Sequence, residues 1–384
     1  MSLYCQASLF TLPADIHYLN CAYMSPLLKS VEAAGVEGLL KKQNPTVVGH
    51  DDFFNGPVGL KDSFGKLVNA NPQQIALIPS VSYGMASAFA NIPAKAGQKA
   101  ITVEGEFPSD YFSLHRFCAD NGVKLESIKA RPYSAGRGKQ WNEDLLNAID
   151  NNTVAVAISM VHWMDGTLYD MEAIGKRCKE VSAIFLVDGT QSVGALPMDV
   201  VKFQIDALIV AGYKWLMGPY SIGLAYYSEF FNNGKPIEES WMNRLRSNDF
   251  GNLTDYERQY RSGAARYNLG ESSNFILVPM LQKALDQLLE WGPQNVQNYC
   301  EELSLPLVSF LQEKGYWVEQ PAFRSKHLFG FALPENMDRE KFMKKLAAKK
   351  VYLSLRSSSM RVSPHLYNTR EDVNALIEVL DSLG

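Results

Sequence analysis

Seven short stretches between about residue 75 and residue 230 are almost unbroken in apolar residues: QIALIPS, KAITVEG, VKLESIKA, TVAVAISMV, AIFLVDG, DALIVAG and IGLAYYS. Each is too short for a buried helix, rich in β-branched residues and bounded by glycine, proline or polar punctuation, so each reads as a strand. Between them, YGMASAFANI, DYFSLHRFCADNG and MEAIGKRCKEV space their apolar residues as helices do. A strand apolar at consecutive positions has neither face in water. The alternation therefore predicts an α/β fold whose mostly parallel, seven-stranded sheet is covered by helices on both sides.

The texture changes further on. SSNFILVPMLQKALDQLLEWG and PQNVQNYCEELSLPLVSFLQEKG read as long amphipathic helices. HLFGFALP, a helix around DREKFMKKLAAKKV, the run VYLSLR and a last helix around EDVNALIEVLDSL follow without strict alternation, as in a smaller α+β domain. A chain of 384 residues exceeds one ordinary core. The expected division is a large domain over residues 26–255 and a small one over 256–384, with the polar stretch 244–270 as the joint.

Composition narrows the classes. The net charge is −4 and no basic cluster stands out, so no nucleic-acid partner is expected. No apolar run reaches the roughly 20 residues of a membrane helix, and the first residues lack the pattern of a secretory signal. Five scattered cysteines, with no CxxC pair, fit neither a disulfide framework nor a zinc site; a reducing compartment, the cytoplasm, is the expectation. GxGxxG, GxxxxGK[ST] and HExxH are absent and the six histidines show no ligand spacing, so no metal is expected.

What remains is an acid and an amine. The apolar run AIFLV is ended by Asp188, and DALIVAG runs out just before Lys214. Ligands of parallel sheets bind at the carboxyl ends of the strands, so these two side chains should share a crevice. Pyridoxal 5′-phosphate needs both: an amine for its aldehyde and an acid to keep its ring nitrogen protonated. It also needs an anion cradle. In IALIPSVSYGMASAF an apolar strand, small residues and a helix start supply free backbone N–H groups and the Ser82 hydroxyl.

With those residues in view, VDGTQSVGALPMDV…DALIVAGYKWLMGPYSIG strongly resembles the class V aminotransferase group of pyridoxal-phosphate enzymes, of fold type I. The resemblance runs from HYLNCAYMSP to LRSSSMRVSPHLYNTREDVNALIEVL, and relatives include cysteine desulfurases, kynureninases and isopenicillin N epimerases. It implies that Lys214 forms the Schiff base and shuttles the α-proton, that Asp188 pairs with the pyridinium and that Gln191 bonds the phenolate oxygen. Ser82, backbone N–H groups near Val81 and Tyr83, and the Tyr213 hydroxyl would hold the phosphate. Phe107 falls where the group stacks a ring on the cofactor, and Arg361 matches the arginine that grips the substrate carboxylate. Trp163, with His162, and Asn20 would border the substrate, the last bringing an N-terminal segment, residues 1–25, to the active site and small domain. Gly270-Glu271-Ser272 stands where relatives contact the neighbouring subunit's phosphate, often through Gly-Thr, so an acid departs from the pattern there. Ala211, where desulfurases tend to carry serine, is a second departure.

The resemblance further implies a homodimer acting on an amino acid as its small-molecule substrate, with a keto acid as acceptor. Desulfurase chemistry is disfavoured, because LRSSSMR joins Arg356 to Arg361 with neither a cysteine nor room for its loop. Transamination is the expected outcome, with epimerisation and a lyase or kynureninase-like reaction left open. A non-catalytic binding module would be expected to lose Lys214 or Arg361, and both are present.

Overall fold

The computed structural model describes residues 3–334 and 336–383. In chain order, β1 (His17–Tyr18), α1 (Lys29–Lys41) and α2 (Asn55–Val68) precede a run of alternating elements. That run comprises β2 (Ile75–Ile78), α3 (Val81–Phe89), β3 (Lys99–Val103), α4 (Pro108–Asn121), β4 (Lys124–Ile128), α5 (Arg137–Ala148), β5 (Thr153–Ser159), α6 (Met171–Val181), β6 (Ile184–Asp188), β7 (Ala207–Ala211) and β8 (Gly223–Tyr227). The remainder is α7 (Leu277–Trp291), α8 (Pro293–Glu313), β9 (Phe329–Ala332), α9 (Arg339–Ala348), β10 (Val351–Tyr352), β11 (Ser354–Arg356), β12 (Ser359–Val362) and α10 (Arg370–Asp381).

All seven expected strands form and lie in one sheet, in the order β2-β8-β7-β6-β5-β3-β4. Only β8 runs against its neighbours β2 and β7; the other pairings are parallel. Because side chains alternate across a strand, each apolar run feeds two cores. On one face Val156, Ile158, Phe185, Val187, Leu208 and Val210 meet α2, α5, α6 and α7; on the other Ala155, Ala157, Leu186, Ala207 and Ile209 meet α3 and α4. Burial on both faces is why these strands read as continuous runs rather than alternating ones.

The smaller unit has its own core. There β9, β11 and β12 form an antiparallel sheet backed by α8, α9 and α10. The run VYLSLR breaks after Tyr352 because it serves two partners: β10 pairs in parallel with β1, and β11 turns back on β12. An expected division at residue 256 assigns α7 to this unit. Its side chains Leu281, Ala284, Leu285 and Leu288 instead pack in the large core, where α7 lies on α1 and α2. The two cores part within α8, whose Val296 and Cys300 face the large core and whose Leu303, Leu307 and Leu311 face the small one.

Candidate active site

Parallel pairing sets Ser159, Asp188 and Ile209 side by side at the carboxyl edge of the sheet. The chain just beyond that edge is pinned. Thr190 donates its N–H to Asp188 Oδ1 at 2.8 Å, and its hydroxyl accepts the Ala211 N–H at 3.0 Å, which ties the ends of β6 and β7 together. After β7 the segment 212–222 folds back on itself, Gly212 N–H bonding Ile222 O and Gly218 N–H bonding Gly212 O, both at 2.9 Å. A Cβ on Gly212 would stand 2.5 Å from Ile222 O, so this turn has no room for one. Lys214 is the residue this turn presents.

A cavity of about 310 Å³ opens there, lined among others by Ser82, Phe107, Trp163, Asp188, Gln191 and Lys214. Lys214 is 7% exposed and its Nζ lies 5.2 Å from the centroid of the Phe107 ring and 5.6 Å from that of Tyr213. Burial lowers the Lys214 amine to about 8; Asp188 opposes that shift, while the Arg361 and Arg356 guanidiniums add to it. Phe107 in turn meets Trp163 edge-on, with centroids 5.5 Å apart, so aromatic rings wall the side of the cavity facing the lysine.

Gln191 is fixed from three directions. Its Oε1 accepts from Trp215 Nε1 at 2.8 Å, its Nε2 donates to Ala22 O at 3.2 Å, and its backbone carbonyl accepts from His327 Nε2 at 2.7 Å. One amide hydrogen is left, on a buried side chain that lines the cavity.

The phosphate cradle differs in detail from the expectation. Helix α3 begins at Val81, two residues ahead of the expected start near Tyr83, with Ser80 as its N-cap; the Ser80 Oγ accepts the Tyr83 N–H at 3.2 Å and lies 2.9 Å from Ser82 Oγ. The Tyr83 N–H is thus committed to the cap. The groups that a helix start leaves free are the Val81 and Ser82 N–H, both at the cavity. Tyr213 also lines it, its ring 4.6 Å from Tyr220.

Arg361 is 1% exposed, and its Nη1 donates to Trp163 O at 2.7 Å while Nε and Nη2 have no partner. Burial and then the Arg356 charge lower its pKa, without reaching the range where arginine loses its proton. Asn20 and Arg361 are not among the residues that line the cavity. Asn20 Oδ1 accepts from Ser354 Oγ at 2.8 Å and its backbone bridges to Ser363, so the N-terminal segment is bound to the β11–β12 hairpin. His162 turns away from the cavity, held to Asp165 and packed edge-on against Trp141. In the 270 loop the Gly270 N–H is taken by the Glu238 carboxylate, so an anion already occupies that donor.

Two residues at the site escaped the sequence reading. Asp110, in the first turn of α4, is 2% exposed with neither carboxylate oxygen partnered; desolvation, then the Asp188 and Glu106 charges, push its carboxyl well above the usual range. Its signal was the acid three places after Phe107, which reads equally well as helix-start decoration. Arg356 is the other, its guanidinium carbon 5.4 Å from the Trp163 ring centroid.

The family model of class V aminotransferases, "Aminotransferase class-V", matches residues 59–376, which spans the sheet, the cavity and the small domain. The chain belongs to that family. An uncharacterized aminotransferase, YcbU, of Bacillus subtilis is 25% identical over 83% of this chain and 81% of its own length. A kynureninase of Cryptococcus neoformans is 26% identical over 84% and 77%. In fold the chain is similar to a solved lysine-to-alanine mutant of C-DES with glycine covalently linked to its pyridoxal-phosphate cofactor, at a TM-score of 0.86 and 18% identity, over 99% of this chain and 100% of that one. The family's cofactor is pyridoxal 5′-phosphate. The cavity fits it: free helix-start N–H groups and a hydroxyl for a phosphate, a buried carboxylate for a ring nitrogen, and a desolvated amine for an aldehyde. No described helix is long and apolar enough to cross a membrane.

Proposed function

We propose that the protein is an aminotransferase that takes the α-proton of an amino acid with Lys214. The observation that carries this is the Lys214 amine, buried between the Asp188 carboxylate and the Arg361 guanidinium and shifted to about 8, so that a useful fraction is a free base near neutrality. Bound pyridoxal 5′-phosphate supplies the electron sink that makes the α-proton removable. The chain's part is to place and hold. Val81, Ser82 and the Tyr213 hydroxyl hold the phosphate, Asp188 holds the proton on the ring nitrogen, and Gln191 gives its free amide hydrogen to the phenolic oxygen. Phe107 covers one face. Arg361 gives its two unpaired N–H groups to the substrate carboxylate, with Trp163 and Asn20 bordering that end.

Epimerisation is disfavoured by the wall opposite the lysine. Phe107 and Trp163 carry no group that exchanges protons, so a proton taken by Lys214 returns from Lys214 on the same side. Epimerisation needs a second acid on the other side. Persulfide chemistry finds no nucleophile at the cavity: none of the five cysteines lines it, four of them are buried, and the β11–β12 turn contains only serines. A keto-acid acceptor, a cytoplasmic location and a homodimer belong to the same reading. Exposed Tyr23, Met24 and Tyr220 offer apolar surface that a second copy would cover.

Proton NMR in deuterated water, on cofactor-loaded protein with a panel of L-amino acids and an added keto acid, tests this. Loss of the α-proton signal coupled to formation of the new amino acid, absent in Lys214→Ala, is the expected result. A D-isomer accumulating, or ammonia and a fragmented side chain, would replace transamination with epimerase or lyase chemistry. No exchange with any amino acid would remove the enzyme reading altogether.

A further inference from the structure

The β11–β12 hairpin carries two arginines where one carboxylate needs one. In its register Ser354 faces Arg361 and Arg356 faces Ser359. Side chains alternate across the pleat, so Leu355, Met360 and Val362 enter the small-domain core while Arg356 and Arg361 share the other face. They are diagonal neighbours, a spacing of roughly 7–8 Å that long side chains bridge easily. Both converge on Trp163, Arg361 at its carbonyl oxygen and Arg356 on its ring, and both guanidinium charges reach Lys214.

Nothing among the described residues neutralises this pair. Among the described residues neither arginine has a carboxylate partner, and three of their nitrogens are buried without an acceptor: Arg356 Nε, Arg361 Nε and Arg361 Nη2. The groups near Arg361 able to carry negative charge are the Tyr18 phenol and the Cys21 thiol; burial raises both, so both are neutral at physiological pH. Arg361 is buried and Arg356 half-buried beside it, and a buried cation with a like charge next to it and no anion is costly unless a ligand brings the charge. An α-carboxylate accounts for Arg361 alone.

We infer that Arg356 receives a second anionic group carried on the substrate side chain, which makes acidic α-amino acids, dicarboxylic ones first, the substrate class. The inference rests on the proposed function, since it takes Arg361 as the α-carboxylate site. A neutral side chain would leave Arg356 stacked on Trp163 with its charge uncompensated. An acidic one fills the pair and displaces nothing the protein has already bonded.

The test is calorimetric binding to the cofactor-loaded protein of ligands that have no α-proton to lose: α-methyl-L-aspartate and α-methyl-L-glutamate, each against its side-chain amide. The acid of at least one pair should bind about ten- to a hundredfold tighter than its amide. Arg356→Gln should bring that ratio near one, Arg356→Lys should keep much of it, and Arg361→Gln should weaken acid and amide alike. Ratios near one in the wild type for both pairs would overturn the inference, as would an Arg356→Gln variant that weakens acid and amide equally while Arg361→Gln still shows α-carboxylate binding. Wild-type protein that binds none of the four, with no cofactor fixed on Lys214 by borohydride, would overturn the proposed function and this inference with it.

Discussion

The rate at which cofactor-free protein captures pyridoxal 5′-phosphate on Lys214 should follow an amine far more acidic than a free lysine. Only the neutral amine attacks an aldehyde, and burial brings this one to about 8 from 10.5. At pH 7 about one-tenth of it is neutral, against about 0.03% for a solvated lysine, so capture should be about 300-fold faster than the ordinary pKa allows. Stopped-flow absorbance across pH 6–11 reads the midpoint. Two variants give the cause a sign. Arg361→Gln removes a charge that disfavours the ammonium, so its midpoint should move up; Asp188→Asn removes the charge that favours it, so its midpoint should move down. A wild-type midpoint near 10.5, or both variants shifting the same way, would refute the electrostatic reading of the cavity.

The same shift has a cost in stability. Below pH 8 both folded and unfolded chains are protonated at Lys214 and the folded one bears the whole penalty, so Lys214→Met should stabilise the cofactor-free protein by up to about 3 kcal/mol there. The gain should shrink as pH rises from 8 towards 10.5, where the wild-type folded state has already shed its proton; urea denaturation at pH 7 and pH 10 checks this. Ser80→Ala removes the α3 cap and the partner of the Ser82 hydroxyl, and should cost about 1 kcal/mol along with weaker cofactor binding, read by thermal unfolding and cofactor titration. Gly212→Ala forces the Ile222 carbonyl away from a new methyl group and should cost roughly 1–3 kcal/mol, with slower capture of cofactor on Lys214.

Much of this molecule was legible in one dimension, and the residues show where legibility stops. A strand buried on both faces is written as an unbroken apolar run, so β2 to β8 could be read directly. Asp188 and Lys214 stood out because a charged residue ends each of two such runs, and a sheet edge brings run-ends together without further information. Helix partners are a different matter. The apolar stripe of α7 says that it packs, not on what, and it packs on α1 and α2, which lie far back along the chain. The start of α3 was misplaced because Ser80 and Ser82 are equally good caps in sequence, and only the turn geometry decides between them. Arg356 and Asp110 were missed for a shared reason. Each sits beside a residue with a stronger motif, and what marks it out is a buried polar atom without a partner, both carboxylate oxygens of Asp110 and the Nε of Arg356, a property of three-dimensional packing.

The charges also favour different ends of a ligand at different edges of the cavity. At the sheet edge Asp110 lies beside Asp188, and desolvation, then the Asp188 and Glu106 charges, push the Asp110 carboxyl well above its usual range. At the hairpin edge Arg356 and Arg361 present two positive charges that the protein leaves unanswered. The positive end of α3 forms a third pole, and Lys214 stands among all three with its own charge partly suppressed. The Asp188 carboxylate draws a protonated ring nitrogen and repels phosphate and carboxylate alike, and both positive poles do the reverse. Charge therefore keeps the anionic groups of a ligand away from Asp188, and shape decides which anion meets which positive pole.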